Sequence, residues 1–227
     1  MVSRQLREAI AVIRRGGLVA MPTETVYGLA GDARDSTTVA RIFAAKRRPA
    51  FDPLIVHVAD LSMAEELADW DAAARNLAKA FWPGPLTLIL PRKAGIPDLV
   101  TNGMPGVGLR CPDHPLALEL IRSSGLPLAA PSANCFGGLS PTTAAAVAEQ
   151  LGPAVDMILD GGPCRVGLES TVLALQPEPL ILRPGGVPPA ALAEVLGRPV
   201  AIADSTVRAA SLQGASPGML ASHYAPR

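Results

Sequence analysis

Short apolar runs of four or five residues recur along this chain, and most stop at a proline or glycine. Residues 18–21 stop at Pro22, 86–90 at Pro91, 126–130 at Pro131, and the run Leu180–Arg183 at Pro184. Runs of this length with these stops read as buried strands. Between them, apolar residues fall at helical spacing: Leu6, Ile10 and Ile13, then Val39, Ile42 and Phe43, then Leu77, Ala78, Phe81 and Trp82. Strands alternating with helices predict an α/β fold, a sheet covered by helices. The runs at 170–175 and 180–183 leave no room for a helix between them. They are expected to pair antiparallel, which makes the sheet mixed.

Helix boundaries are also written in the residues. Asp35-Ser36, Asp71 and Asp113 with Pro115 mark helix starts, Ser62 with Glu65 reads as a capping box, and Ser140-Pro141 as an N-cap followed by proline at the first helical position. Gly16-Gly17, Gly125 and Gly152 mark ends. After Asp204 the pattern fades into a tail rich in Ser, Pro and Gly. The expected organisation is a catalytic unit over 1–206 and a linker or lid over 207–227.

With 227 residues and 49% hydrophobic side chains the chain can fill one large core. Twenty basic and twenty acidic residues cancel, which argues against a protein whose main task is wrapping nucleic acid. Cys111, Cys135 and Cys164 are too scattered for a disulfide framework or a zinc site. The N-terminus mixes Arg and Glu with apolar residues and has no continuous apolar segment, and no stretch approaches the ~20 residues that span a bilayer. The expectation is a cytoplasmic protein with no membrane contact.

The chemistry-bearing residues sit at element ends. After the strand at 18–21, Thr23, Glu24, Thr25 and Tyr27 follow within a few residues, and Gly28 lets the backbone turn. Loops beyond strand ends are where α/β proteins bind ligands. Lys46 and Arg48 leave a helix, and Arg110 and Arg183 end strands before Cys111-Pro112 and Pro184-Gly185. Singly, each is an ordinary surface charge; four at such exits suggest convergence on one anionic ligand, for which the arginine fork is suited. Ser132, Asn134 and Ser140 form a second polar set, Ser140 preceding a helix N-terminus that favours anions or being a plain cap. His57 lies in an apolar strand, a satisfied core histidine or a ligand. Ser170-Thr171 opens a strand after Glu169. There is no phosphate-loop signature, no G-x-G-x-x-G and no H-E-x-x-H. Glu24 and Glu169 are too few acids for a dedicated Mg²⁺ cage, so Mg²⁺ is expected to arrive on a triphosphate.

Eight motifs occur in a family's order: PTETVYGL, K-x-R-P-x-x-x-P-L-I-V-H, F-W-P-G-P-L-T, V-G-L-R-x-P, A-A-P-S-A-N, S-P-T, E-S-T-V and R-P-G. Over residues 6–203 the chain resembles the threonylcarbamoyl-AMP synthase family, the YrdC-like proteins. Its tail, S-P-G-M-x-x-x-H-Y-A-P, resembles the linker of the longer, two-domain branch, whose second, Rossmann-like domain is expected to be absent here. The resemblance implies a twisted mixed sheet with flanking helices and a large concave basic face. It implies that L-threonine, bicarbonate and ATP give L-threonylcarbamoyladenylate and pyrophosphate. Partner proteins then carry the threonylcarbamoyl group to adenosine 37 of tRNA.

The resemblance also implies roles. Threonine is held by Thr25, His57, Arg110, the Ala130 backbone and Ser170. ATP meets Arg48, Ser132, Ser140, Arg183 and, from the tail, Tyr224. Asn134 shares that surface, and Lys46, with Arg48, is the candidate for neutralising phosphate charge in catalysis. Arg47 stands where glycine is commoner, Asp52 where asparagine is common and Gly106 where a threonine often contacts ATP, so Asp52 and Gly106 join the ATP set by position. Two other readings share this sequence: a carbamoyl-adenylate transferase and a double-stranded-RNA-binding module.

Overall fold

The computed structural model describes residues 3–47 and 52–204. The expectations placed on Arg48, Tyr224 and the 207–227 tail lie outside the described residues.

The chain opens with helix α1 (Arg4–Arg14), whose first turn is capped by Ser3 accepting from the Leu6 N–H. Strands β1 (Val19–Met21) and β2 (Gly28–Asp32) follow and pair antiparallel, Met21 opposite Gly28, so that residues 22–27 are the loop between two paired strands. The sequence reading has no strand here, because Gly-Leu-Ala-Gly-Asp has little intrinsic strand preference. The glycines serve close packing: a Cβ on Gly31 would lie 2.5 Å from Thr38 Cγ2, in helix α2 (Ser36–Lys46). Asp35 caps α2 as expected, and Arg47 ends it in the left-handed region at φ 52°, which explains why glycine is commoner at that position in the resembling motif.

Strand β3 (Ile55–His57) leads through helices α3 (Leu61–Glu65) and α4 (Ala72–Phe81) to β4 (Leu86–Pro91). The short α5 (Asp98–Thr101), β5 (Gly106–Arg110), α6 (Pro115–Ser124) and β6 (Leu128–Ala129) come next. Then follow α7 (Ala144–Leu151), β7 (Met157–Ile158), β8 (Thr171–Ala174), β9 (Leu180–Arg183), α8 (Pro189–Leu196) and β10 (Ala201–Ile202). Three helix starts differ from the sequence reading. Asp60, not Ser62, caps α3; His114 Nδ1 caps α6; and Thr143, not Ser140, caps α7. Ser140 is excluded as a cap because its hydroxyl is given to Glu169 at 2.9 Å.

Among the described residues the strands form one sheet in the order β10-β9-β8-β4-β5-β3-β6-β2-β1-β7. It is mixed, as expected: β8 and β9 pair antiparallel, while β3 with β5 and β4 with β8 are parallel. Side chains alternate across it. Val19 and Met21 pack with Leu6, Val12 and Ile13 of α1 and Leu120 and Ile121 of α6. Leu18 and Ala20 belong to the larger core with Val39, Ile42, Leu77, Val147 and Leu192 from α2, α4, α7 and α8. A third, small cluster of Ile55, Val172 and Leu182 contains no helical residue. Ile55 of that cluster lines the hollow where the polar residues gather.

Candidate active site

A hollow is lined by Thr23, Thr25, Val26, Gly28, Ile55, His57, Arg110, Ala130, Pro131, Ser132, Glu169, Ser170 and Arg183. Strand pairing explains much of the convergence. His57 ends β3 directly opposite Arg110 at the end of the parallel β5. The Ala130 N–H bonds the Ile55 carbonyl at 3.0 Å, and Gly28 bridges to Ser132. A Cβ on Gly28 would sit 3.2 Å from that of Ala130.

Arg110 lines the hollow and is 4% exposed. Its Nη2 donates to Glu24 Oε1 at 2.7 Å and Thr25 Oγ1 at 2.8 Å. Glu24 also accepts from the Asp113 N–H at 3.0 Å, tying the loop of residues 22–27 to the start of α6. The loop is self-braced: Thr23 Oγ1 accepts from the N–H groups of Thr25 and Val26 and lies 2.8 Å from Thr25 Oγ1. Buried Tyr27 donates to the Gly162 carbonyl at 2.8 Å, and burial pushes its phenol up to about 12. His57 is 3% exposed, and burial, then the neighbouring Arg110 charge, lowers it to about 3, so the ring is neutral near pH 7. Its Nδ1 has no hydrogen-bond partner among the described residues, an unusual state for a buried polar atom.

Arg183 donates through Nε and Nη2 to the Ser170 carbonyl at 3.1 and 3.0 Å, and through Nη2 to Ser170 Oγ at 3.1 Å. Its Nη1 forms a short ion pair with Glu169. Ser170 Oγ also meets Thr87 Oγ1 at 2.8 Å. Thr87 enters the sequence reading only as the last letter of F-W-P-G-P-L-T; nothing local marks it as a site neighbour. The R-P-G motif has a steric cause: a Cβ on Gly185 would lie 2.3 Å from the Glu169 carbonyl oxygen.

Of the residues singled out in the sequence, the hollow brings together Thr25, His57, Arg110, Ala130, Ser132, Ser170 and Arg183. Ser140 reaches it through its bond to Glu169. Lys46 does not line it. Its ammonium, 1% exposed, donates to the carbonyls of Ser132 and Asn134 and to Asn134 Oδ1. Expected as a neutraliser of phosphate, Lys46 braces the backbone that carries Ser132, because three carbonyl oxygens surround it. Asn134 is likewise spent within that loop, accepting from Ser132 Oγ at 2.6 Å and donating to Cys135 and Gly138. Asp52, 3% exposed, lies outside the lining, as does the half-buried Gly106, where a Cβ would meet Ile89 at 2.9 Å.

Burial pushes Cys111 up to about 12 and raises Cys164, so neither supplies a thiolate nucleophile near neutral pH. No group of three or more His, Cys, Asp or Glu among the described residues could hold a metal ion. No described helix is long and apolar enough to cross a membrane. The arrangement can bind and orient anions and small polar groups; it has no paired nucleophile and base.

Comparison with known proteins agrees with this geometry. The Sua5/YciO/YrdC family model, described as Telomere recombination, matches residues 11–185. The threonylcarbamoyl-AMP synthase of Bacillus subtilis is 48% identical across 98% of this chain and 64% of its own length. The crystal structure of Pyrococcus abyssi Sua5 complexed with L-threonine superposes with a TM-score of 0.92 at 47% identity, covering 97% of this chain and 65% of that one. Escherichia coli YciO superposes with a TM-score of 0.73 at 25% identity, over 80% of this chain and 89% of its own. The chain thus spans about two thirds of the length of the Bacillus subtilis and Pyrococcus abyssi relatives, 64% and 66%. By the matched motifs, the sheet and the family model, this chain belongs to the Sua5/YciO/YrdC family.

Proposed function

We propose that the chain joins L-threonine, bicarbonate and ATP into L-threonylcarbamoyladenylate, releasing pyrophosphate and water. One observation carries the reading: a single hollow is lined by Thr25, His57, Arg110, Ser132, Ser170 and Arg183 together. An amino acid and a nucleotide laid end to end need such a site. The threonine carboxylate lies against Arg110, whose position is set by Glu24 and Thr25. The neutral His57, with Nδ1 unpartnered, offers a polar contact without a second positive charge. Ser170 adds a hydroxyl to the threonine contacts. Ser132, Ser140 and Arg183 face the nucleotide, and Arg48 and Tyr224 complete the ATP set from outside the described residues.

In this reading the threonine amine adds to the carbon of bicarbonate, water leaves, and a carbamate forms. A carbamate oxygen then attacks the α-phosphorus, the bond to the bridging oxygen breaks, and pyrophosphate departs with that electron pair. The protein contributes proximity and fixed cations for the growing charge. Mg²⁺ enters with the triphosphate as part of the substrate. The product passes to partner proteins that modify adenosine 37 of tRNA. Residues 1–206 are the catalytic unit and 207–227 the segment that shields the labile product from water.

The test uses isotopically labelled bicarbonate with ATP and L-threonine. Label is expected in one product that also contains threonine and adenylate. Label retained in bicarbonate, or a product formed equally with serine, contradicts the reading. Product formed from carbamoyl phosphate without threonine favours a carbamoyl-adenylate transferase.

A further inference from the structure

Glu169 is the one acid lining the hollow among the described residues, and its carboxylate lies on two groups suited to another anion. Oε1 accepts from Ser140 Oγ at 2.9 Å, and Oε2 takes the Nη1 edge of Arg183. Arg183 does not depend on Glu169 for its place. Nε and Nη2 are already fixed by the carbonyl and hydroxyl of Ser170. The main chain at Glu169 is fixed too, since the backbone at Gly185 passes close against it. What the Glu169 side chain adds is negative charge on the Nη1 edge of a cation whose side chain is only 7% exposed. Buried charge of one sign is costly without compensation, and a charge-assisted pair of this kind is strong.

We propose that Glu169 is a stand-in anion: it occupies Ser140 and Arg183 while no nucleotide is bound, and a phosphate group enters by displacing it. This deepens the reading above, in which Ser140 and Arg183 meet the nucleotide, and rests on it. Every phosphate ligand then competes with a tethered carboxylate, which weakens phosphate binding relative to a site without that charge. Glu169 is a positioning residue, setting the strength with which phosphates are held.

Calorimetric titration of the whole chain with ATP, pyrophosphate and adenosine tests this in the parent, Glu169→Gln and Arg183→Ala. Glu169→Gln removes the charge and keeps the shape. It is expected to bind ATP and pyrophosphate about tenfold more tightly and adenosine, which has no phosphate, as the parent does. A structural lesion does not produce a selective gain. Unchanged or weaker ATP and pyrophosphate binding by a folded Glu169→Gln overturns the proposal, as does equal tightening of adenosine. Where Glu169→Gln lacks a cooperative melting transition, Glu169→Asp, which draws the charge back by one methylene, is read with the same expected direction. Arg183→Ala separates the two levels. Parental ATP affinity in that variant refutes the nucleotide reading and the proposal with it; weaker affinity, without tightening in the Glu169 variants, refutes the Glu169 proposal alone.

Discussion

Arg110 and Arg183 each hold a fixed pose before any substrate arrives. Glu24 and Thr25 orient the first, and Ser170 and Glu169 the second. A lysine at 110 cannot span the Glu24–Thr25 pair and a ligand carboxylate together. Arg110→Lys is expected to lower kcat/KM for threonine about 30-fold, ~2 kcal/mol, with a melting temperature close to the parent's in thermal unfolding. His57 makes a pH prediction. Its folded value of about 3 lies below the ordinary 6.5, so between those values the unfolded chain binds more protons. Its contribution to stability is whole above about 6.5 and is lost as pH falls toward 3. Melting curves from pH 7 to pH 4 should fall less steeply for His57→Gln than for the parent. Arg47, in the left-handed region, is exposed and pays for that conformation. Arg47→Gly should raise stability by about 1 kcal/mol, or ~2–4 °C in melting temperature.

Within the elements, sequence and structure part at identifiable places. Strands made of Leu, Ile and Val were legible, as was the antiparallel β8–β9 pair, because apolar runs and short connections leave few choices. Strand β2 was not, since Gly31 packs against α2 and Gly28 against Ala130, and neither adds to an apolar periodicity. Caps slipped by a residue or more where two oxygens competed, as with Asp60 and Ser62 or Thr143 and Ser140. The converging side chains could be named from their places at strand ends. Their partners could not, since Glu24 and Arg110 are 86 residues apart and no local rule joins them. Lys46 shows the same limit: a helix-exit lysine reads as a surface cation until the Ser132–Asn134 backbone is seen wrapped around it. Gly185 tests how closely the site elements pack. Gly185→Ala places a methyl 2.3 Å from the Glu169 carbonyl oxygen, and the backbone must shift. A loss of about 2 kcal/mol, seen as a drop of ~4–8 °C in melting temperature, is expected, with weaker ATP binding.

For the molecule as a whole, zero net charge and buried arginines matched by buried glutamates suit small anionic substrates better than a nucleic-acid backbone. Helical residues pack on both faces of the sheet, none belongs to the Ile55, Val172 and Leu182 cluster, and Ile55 lines the hollow. If the 207–227 segment shields that place, a chain cut before Gly214 should bind ATP more weakly in titration than the full chain. The most direct measurement is pyrophosphate release from ATP in bicarbonate buffer, with and without L-threonine. The account predicts release that requires L-threonine, is not supported by serine, and falls by about 2–4 kcal/mol of transition-state stabilisation in Arg183→Ala. Release at the same rate without threonine, or undiminished in Arg183→Ala, would contradict it.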